Sequence, residues 1–164
     1  MSEDAERAQD ANGGVPGEKA KKTRLSERHK ARRMILQALY QWHMAGAPVA
    51  DIQAEFLAYY QGKIDRDYFR EIFTGVVSQA TRLDELMAPI LDRDVGKLDP
   101  IERCLLRLGL YELSERVDVP YRVVINEAVE LARVYGATDS HKYINSILDK
   151  AAGTLRAAEQ RGTG

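Results

Sequence analysis

The sequence predicts an all-α protein. Apolar residues recur at three- and four-residue spacing in one segment after another, and alternating apolar–polar runs of the kind that form strands are scarce. Several segments also open with a helix-capping residue or close at a glycine or proline. With 164 residues, 45% apolar and 30% charged, the chain is long enough to bury one substantial core.

Residues 1–24, rich in Glu, Asp, Gly, Ala and Lys, are expected to be a disordered tail. Ser26 can cap a first helix with Ala31, Ile35, Ala38, Leu39 and Trp42 facing inward, stopped by Gly46 and Pro48. A shorter helix follows from Asp51 to Tyr60, with Ile52, Phe56 and Tyr59 inward. After a break at Gly62 and Asp65, a third helix aligns Phe69, Ile72, Phe73, Val76 and Ala80. A fourth, from about Thr81, carries Leu83, Leu86, Met87, Ile90 and Leu91; Pro89 disturbs it and "DRDVGK" ends it. Asp99, Pro100 and Glu102 then open a fifth in a capping-box-like pattern, with Ile101, Leu105 and Leu108 as its inner stripe. "VDVPY" turns the chain into a sixth helix closed by Gly136. The seventh, capped by Thr138 or Asp139, buries Ile144, Ile147, Leu148, Ala151 and Leu155. Residues 157–164 are polar and expected to fray.

The formal net charge is -1, so a globally basic nucleic-acid binder is excluded. The distribution is uneven, however. Between Lys21 and Arg33 seven Lys/Arg face one acid, Glu27; this +6 segment leaves about -7 on the rest of the chain. Such asymmetry points to a polyanionic partner for one end of the molecule, the alternative being a solubilising charged tail.

Catalytic chemistry finds no motif. Neither phosphate-cradling glycine loop is present, and His29, His43 and His141 form no metal-binding pair. The single cysteine, Cys104, lies among leucines as a buried inert thiol and rules out an intramolecular disulfide or a multi-cysteine zinc site. No segment approaches the ~18 continuous apolar residues of a membrane span, and the N-terminus lacks a signal-peptide core. The expectation is a cytoplasmic protein without cofactor, metal or enzymatic activity.

At about 100° per residue, the first helix presents three faces. A core stripe surrounds Ile35. Lys30, Met34, Gln37 and Gln41 form a mostly polar face expected to be open to solvent. Between these lie Arg32, His43, Leu36, His29, Tyr40 and Arg33, basic groups interleaved with an aromatic ring and an aliphatic side chain. Cations neutralise phosphates, and Tyr and Arg planes stack on unpaired bases, so this mixture suits short single-stranded RNA with a protein against Leu36 and Tyr40. Packing of Leu36 and Tyr40 within the domain is the structural alternative. On the seventh helix Asp139, Lys142, Tyr143, Ser146 and Lys150 share a face away from the core. There Asp139 could accept from a base amino group or simply cap the helix.

"RHKARRMILQALYQW", "IERCLLRLGLYELSERVDVPYRVVINEAVELARVYG" and "DSHKYINSILDKAA", in this order, resemble the NusB family of bacterial transcription antitermination factors across roughly residues 27–156. The resemblance implies two small helical bundles packed together, here about 25–92 and 97–156 of a single domain spanning 25–156. It implies binding to boxA, a short single-stranded element of ribosomal RNA leader transcripts, together with NusE, a small-subunit ribosomal protein. The complex joins RNA polymerase and supports processive transcription. The family's arginine-rich motif falls on Arg28, His29, Lys30, Arg32 and Arg33. Tyr40 and Glu102 match positions at the junction of RNA and NusE, and Asp139, Lys142 and Tyr143 match positions near the RNA. The resemblance leaves monomer and homodimer open. Two other readings are an accessory module in ribosomal RNA modification and a helical protein–protein adaptor.

Overall fold

A computed structural model of the protein describes residues 16–163. Eight α-helices occur among them: α1 (Pro16–Ala45), α2 (Val49–Tyr59), α3 (Arg66–Ser78), α4 (Ala80–Met87), α5 (Pro100–Glu115), α6 (Tyr121–Tyr135), α7 (Ser140–Leu155) and α8 (Ala157–Thr163). A 3-10 turn, Val95–Lys97, leads into α5.

Most of the periodic stripes fold as expected in the middle of the chain. Tyr59, expected inward on the second helix, is instead 85% exposed because it is the last residue of α2. The ends of the chain also differ. Residues 1–15 of the expected tail lie outside the described residues, but α1 already begins at Pro16, so Ser26 sits inside a helix and caps nothing. Local propensity explains this: Pro16 suits a first helical position, Glu18 complements the N-terminal dipole, and Lys19 to Lys22 are good helix formers. Every side chain from Gly17 to Ser26 is exposed, so these turns project from the body. At the other end, Ala157–Glu159 and the residues after them form α8 instead of fraying. Arg156 explains it. Its buried guanidinium donates to the carbonyls of Leu113, Glu112 and Arg116 at the end of α5 and pairs with Glu159, whose carboxylate also accepts from the Tyr121 N–H. One arginine thereby satisfies the orphan Leu113 carbonyl, adds a second bond to those of Glu112 and Arg116, and anchors α8.

Turn chemistry sets the other boundaries. Gly46 adopts φ 66°, the left-handed conformation that ends α1, and its N–H reaches the Trp42 carbonyl. Asp65 caps α3 by accepting from the Tyr68 N–H at 3.0 Å, and Asp99 caps α5 by accepting from the Ile101 N–H at 3.3 Å. Glu102 does not complete a capping box; it accepts instead from the Ser140 hydroxyl at 2.8 Å. Gly136 closes α6 with extended backbone (φ -87°, ψ 171°); a side chain there would press on the Ala132 carbonyl and Ser140.

α5 occupies the centre. It packs against α1, α3 and α4 on one side and α6 and α7 on the other. Residues from Cys104 to Leu113 are buried without a break. One apolar cluster runs from Ala31 through Phe69, Phe73 and Leu105 to Ala152. This rigid body fixes the direction in which the middle of α1 and the start of α7 face.

Candidate nucleic-acid interface

α1 enters the core at residue 31, so its basic run crosses from solvent to interior within two turns. The five residues Arg28, His29, Lys30, Arg32 and Arg33 therefore meet five different surroundings. Arg32 is 2% exposed. Its Nε and Nη2 grip the Glu112 carboxylate of α5 at 2.8 to 3.1 Å, and Nη2 also donates to the Tyr68 hydroxyl of α3. Tyr68 in turn donates to Glu112, and Glu127 of α6 lies near the other side of the guanidinium. Burial disfavours the charge on Arg32, but the Glu112 carboxylate outweighs burial and raises the arginine pKa. Arg32 is thus a buried clamp of three helices, withdrawn from the surface on which it was expected to meet a phosphate.

Arg28 is half-buried, with its guanidinium 4.6 Å from the Tyr68 ring centre and Nε 3.4 Å from Asp65. His29 Nδ1 lies 2.6 Å from the Glu127 carboxylate, with the ring still partly exposed. Lys30 points to the other flank, toward α2. Arg33 is exposed on the crest of α1, lining the clefts on both flanks.

Further along, Tyr40 is 38% exposed and Leu36 only 1%. Leu36 belongs to the core cluster, so it cannot be a contact for a partner protein; the alternative reading of that residue holds. Met34, expected on the solvent face, is also core at 4% exposure. A 30-residue helix that meets α2, α3, α5 and α6 is covered over a much wider arc than a single stripe. Glu102 is buried at 9% against Ser140 and presents no partner surface either.

The second patch lies at the start of α7. Asp139 sits at the N-cap position with φ 68°, a left-handed conformation uncommon outside glycine, and its side chain makes no capping bond. Its carboxylate instead points outward, 3.4 Å from Lys142 Nζ, and both groups are well exposed. Tyr143 donates its hydroxyl to Asp92 at 2.9 Å, while Arg93 lies 4.6 Å over its ring. The Arg93 bond, helped by Tyr143, holds the Asp92 carboxyl down to about 2.

Asp92 and Arg93 were not singled out from the sequence, because "DRDVGK" lies in a loop without periodicity and its packing against Tyr143 is long-range. The link between the two patches was equally hidden. Gln37 of α1 donates to the Tyr135 hydroxyl at the end of α6 at 3.2 Å, tying the middle of α1 to the helix that precedes α7. Arg33, Gln37 and Tyr40 on α1 and Asp139, Lys142 and Tyr143 on α7 each combine cations or amides with an aromatic ring, chemistry suited to phosphates and unpaired bases.

Among the described residues no cluster of potential metal ligands occurs, and no helix is long and apolar enough to cross a membrane. Burial pushes the Cys104 thiol up to about 12, which keeps it un-ionised.

Comparison with known proteins adds a family and a set of relatives. The NusB family model matches residues 29–153. The chain is 58% identical over 135 residues to the transcription antitermination protein NusB of Alcanivorax borkumensis, covering 82% of this chain and 90% of the relative. With the protein of the same name from Hahella chejuensis it shares 50% over 136 residues, covering 82% and 91%. Among solved structures, T. maritima NusB superposes with a TM-score of 0.70 at 32% identity, covering 77% of this chain and 91% of that one. A structure of the antitermination factors NusB and NusE in complex with dsRNA superposes with a TM-score of 0.69 at 22% identity, covering 75% and 93%; at that identity the likeness is one of fold.

Proposed function

The chain belongs to the NusB family, and on that premise we propose that it is a transcription antitermination factor. It binds single-stranded boxA RNA of ribosomal RNA leader transcripts together with NusE and promotes processive transcription by RNA polymerase. It works in the cytoplasm and catalyses no reaction. The observation that carries this reading is the 58% identity, over nine-tenths of its length, with a relative of that name.

The geometry supports a particular division of labour. Arg33 and Lys30, with His29 and Arg28 as weaker contributors, hold phosphates. Tyr40 and Tyr143 offer ring faces, and Asp139 and Lys142 offer polar contacts to base edges. Of the residues assigned to NusE, only Tyr40 has the exposure to serve. Arg32, Leu36 and Glu102 act one step back by holding α1, α5 and α7 in place.

The test is a fluorescence-anisotropy titration of boxA RNA and a scrambled control, with and without NusE, at two salt concentrations. Preference for boxA that tightens with NusE is expected. Log K should fall by about 2 to 4 per decade of salt, the slope of three to five phosphate contacts on a single strand. Arg33→Glu should weaken binding by about tenfold and leave the helical content intact. An adaptor whose basic front only solubilises it would bind both RNAs weakly and equally, and would be indifferent to NusE and to Arg33→Glu.

A further inference from the structure

The flank of α1 turned away from α6 carries a second site. α1 and α2 meet there in a cleft of about 380 Å³, within the ~300–1,000 Å³ of ordinary small-ligand sites. Its apolar lining is Met34 with Phe56, Tyr59 and Tyr60 at the end of α2. Lys30, Arg33 and the amides of Gln37 and Gln41 also line it, with a single carboxylate, Glu55. Lys30 also lines an adjoining cleft nearer the start of α1, with Lys22 and Lys63. The two clefts form one track in which four cations outnumber the acids Glu27 and Glu55.

The aromatic end of the track is held in place. The Arg66 guanidinium donates to the Leu57 carbonyl at 2.9 Å and the Tyr60 carbonyl at 2.7 Å, fixing the turn after α2. The Tyr60 ring lies against Gly62 so closely that a side chain there would meet it at 2.8 Å. Tyr59, by contrast, is 85% exposed. A partner helix would find four cations along the approach and amides in the lining. A duplex would find a pocket that paired bases cannot enter. Flat rings beside amide groups, reached along a line of cations, match the chemistry of an unstacked base on a charged backbone.

We infer that this cleft binds a base of the RNA segment adjoining the boxA element, with its phosphates running along Lys30, Lys63 and Lys22. The inference rests on the RNA-binding reading above. Arg33 connects the two regions, since it lines both this cleft and the one between α1 and α6. A strand crossing α1 at Arg33 therefore passes from one site to the other without leaving positive charge.

The experiment compares a minimal boxA RNA with RNAs extended by several unstructured nucleotides on the 5′ or the 3′ side, using the full-length protein. One extended RNA should bind the wild type more tightly than the minimal one. Tyr59→Ala should erase that gain, a loss of about fivefold or more for one stacked base, and leave the minimal RNA's affinity unchanged. Tyr59→Phe should retain the gain because the ring remains. Lys63→Ala should flatten the salt dependence for the extended RNA by about 0.7. Absence of any gain from either extension, or a gain that survives Tyr59→Ala, overturns the inference while the boxA reading stands. Loss of NusE binding by Tyr59→Ala with RNA affinities unchanged overturns it in favour of a protein contact. Failure of the wild type to bind minimal boxA overturns both.

Discussion

Arg32 presses its guanidinium into the Glu112 carboxylate in the interior, while Arg33 stands in water one position further on. The helix turns by about 100° per residue, so adjacent basic residues necessarily serve different surroundings. Part of this was readable. Glu112 extends the stripe Ile101, Leu105, Leu108 by one more turn, whereas Arg32, three residues before Ile35, falls beside the core stripe of α1 and not within it. An acid on a buried stripe requires a buried partner. The pairing of Glu112 with Arg32 across 80 positions of chain is what no local pattern contains. Arg32→Ala leaves Glu112 buried with only Tyr68 as a close partner and should cost about 3–5 kcal/mol of unfolding free energy, read from urea denaturation. Arg33→Ala should change it by less than about 0.5 kcal/mol. A loss below about 1 kcal/mol for Arg32→Ala would mean that the clamp is not buried as described. Any RNA-binding defect of a variant at Arg32 must accordingly be separated from unfolding.

α5 and α1 show where reading by element succeeds and where it stops. The cap at Asp99, Pro100 at the helix start and the leucine stripe of α5 all fold as their spacing predicts. The single stripe understates α5, however, because a helix surrounded by five others is buried on every side, including Gly109 and Arg107. At Gly109 α7 comes close: a methyl group there would sit 2.7 Å from a terminal carbon of Leu148, which is itself fully buried. Gly109→Ala should therefore destabilise the fold by about 1–3 kcal/mol despite alanine's better helix propensity, measured as a lower urea midpoint with an unchanged slope. An increase in stability would show that α5 and α7 have slack between them. α1 fails the local reading in the opposite sense. Ser26 and the apolar stripe after it signal a start there, whereas the turns from Pro16 carry no buried stripe and rest largely on helix propensity. Along the site, the cations and tyrosines were legible as residues, but their apportioning between core, crest and two flanks depends on which helices cover α1.

Charge also joins the molecule across its centre. Asp84 of α4 bonds both Arg103 and Arg107 of α5 at 2.7 to 2.9 Å, with His43 of α1 beside Arg107. Burial raises the Asp84 pKa, but the bonds from Arg107 and Arg103 outweigh burial and hold it below the usual aspartate range. Burial, then Arg107 and Arg103, push His43 down, which favours its neutral form. Because the folded-state pKa of Asp84 is depressed, its stabilising effect is present above the ordinary aspartate value of about 3.9 and is lost as pH falls through the lower folded value. Asp84→Asn should lower the urea midpoint at pH 7, and the gap from wild type should close on acidification below about pH 3.9. A gap independent of pH would assign the effect to packing. At this scale the sequence disclosed a helical body with a basic front, but not the salt links that join its parts. The projecting turns of α1 have a thermal consequence. The side chains from Gly17 to Ser26 are all exposed, and a helix with little tertiary support has little free energy holding it. Warming unwinds this stretch well before the body melts, spreading Lys21, Lys22 and Arg24 into a loose cloud of charge. Far-ultraviolet ellipticity then declines gradually while Trp42 fluorescence holds steady, and attraction for RNA fades ahead of denaturation.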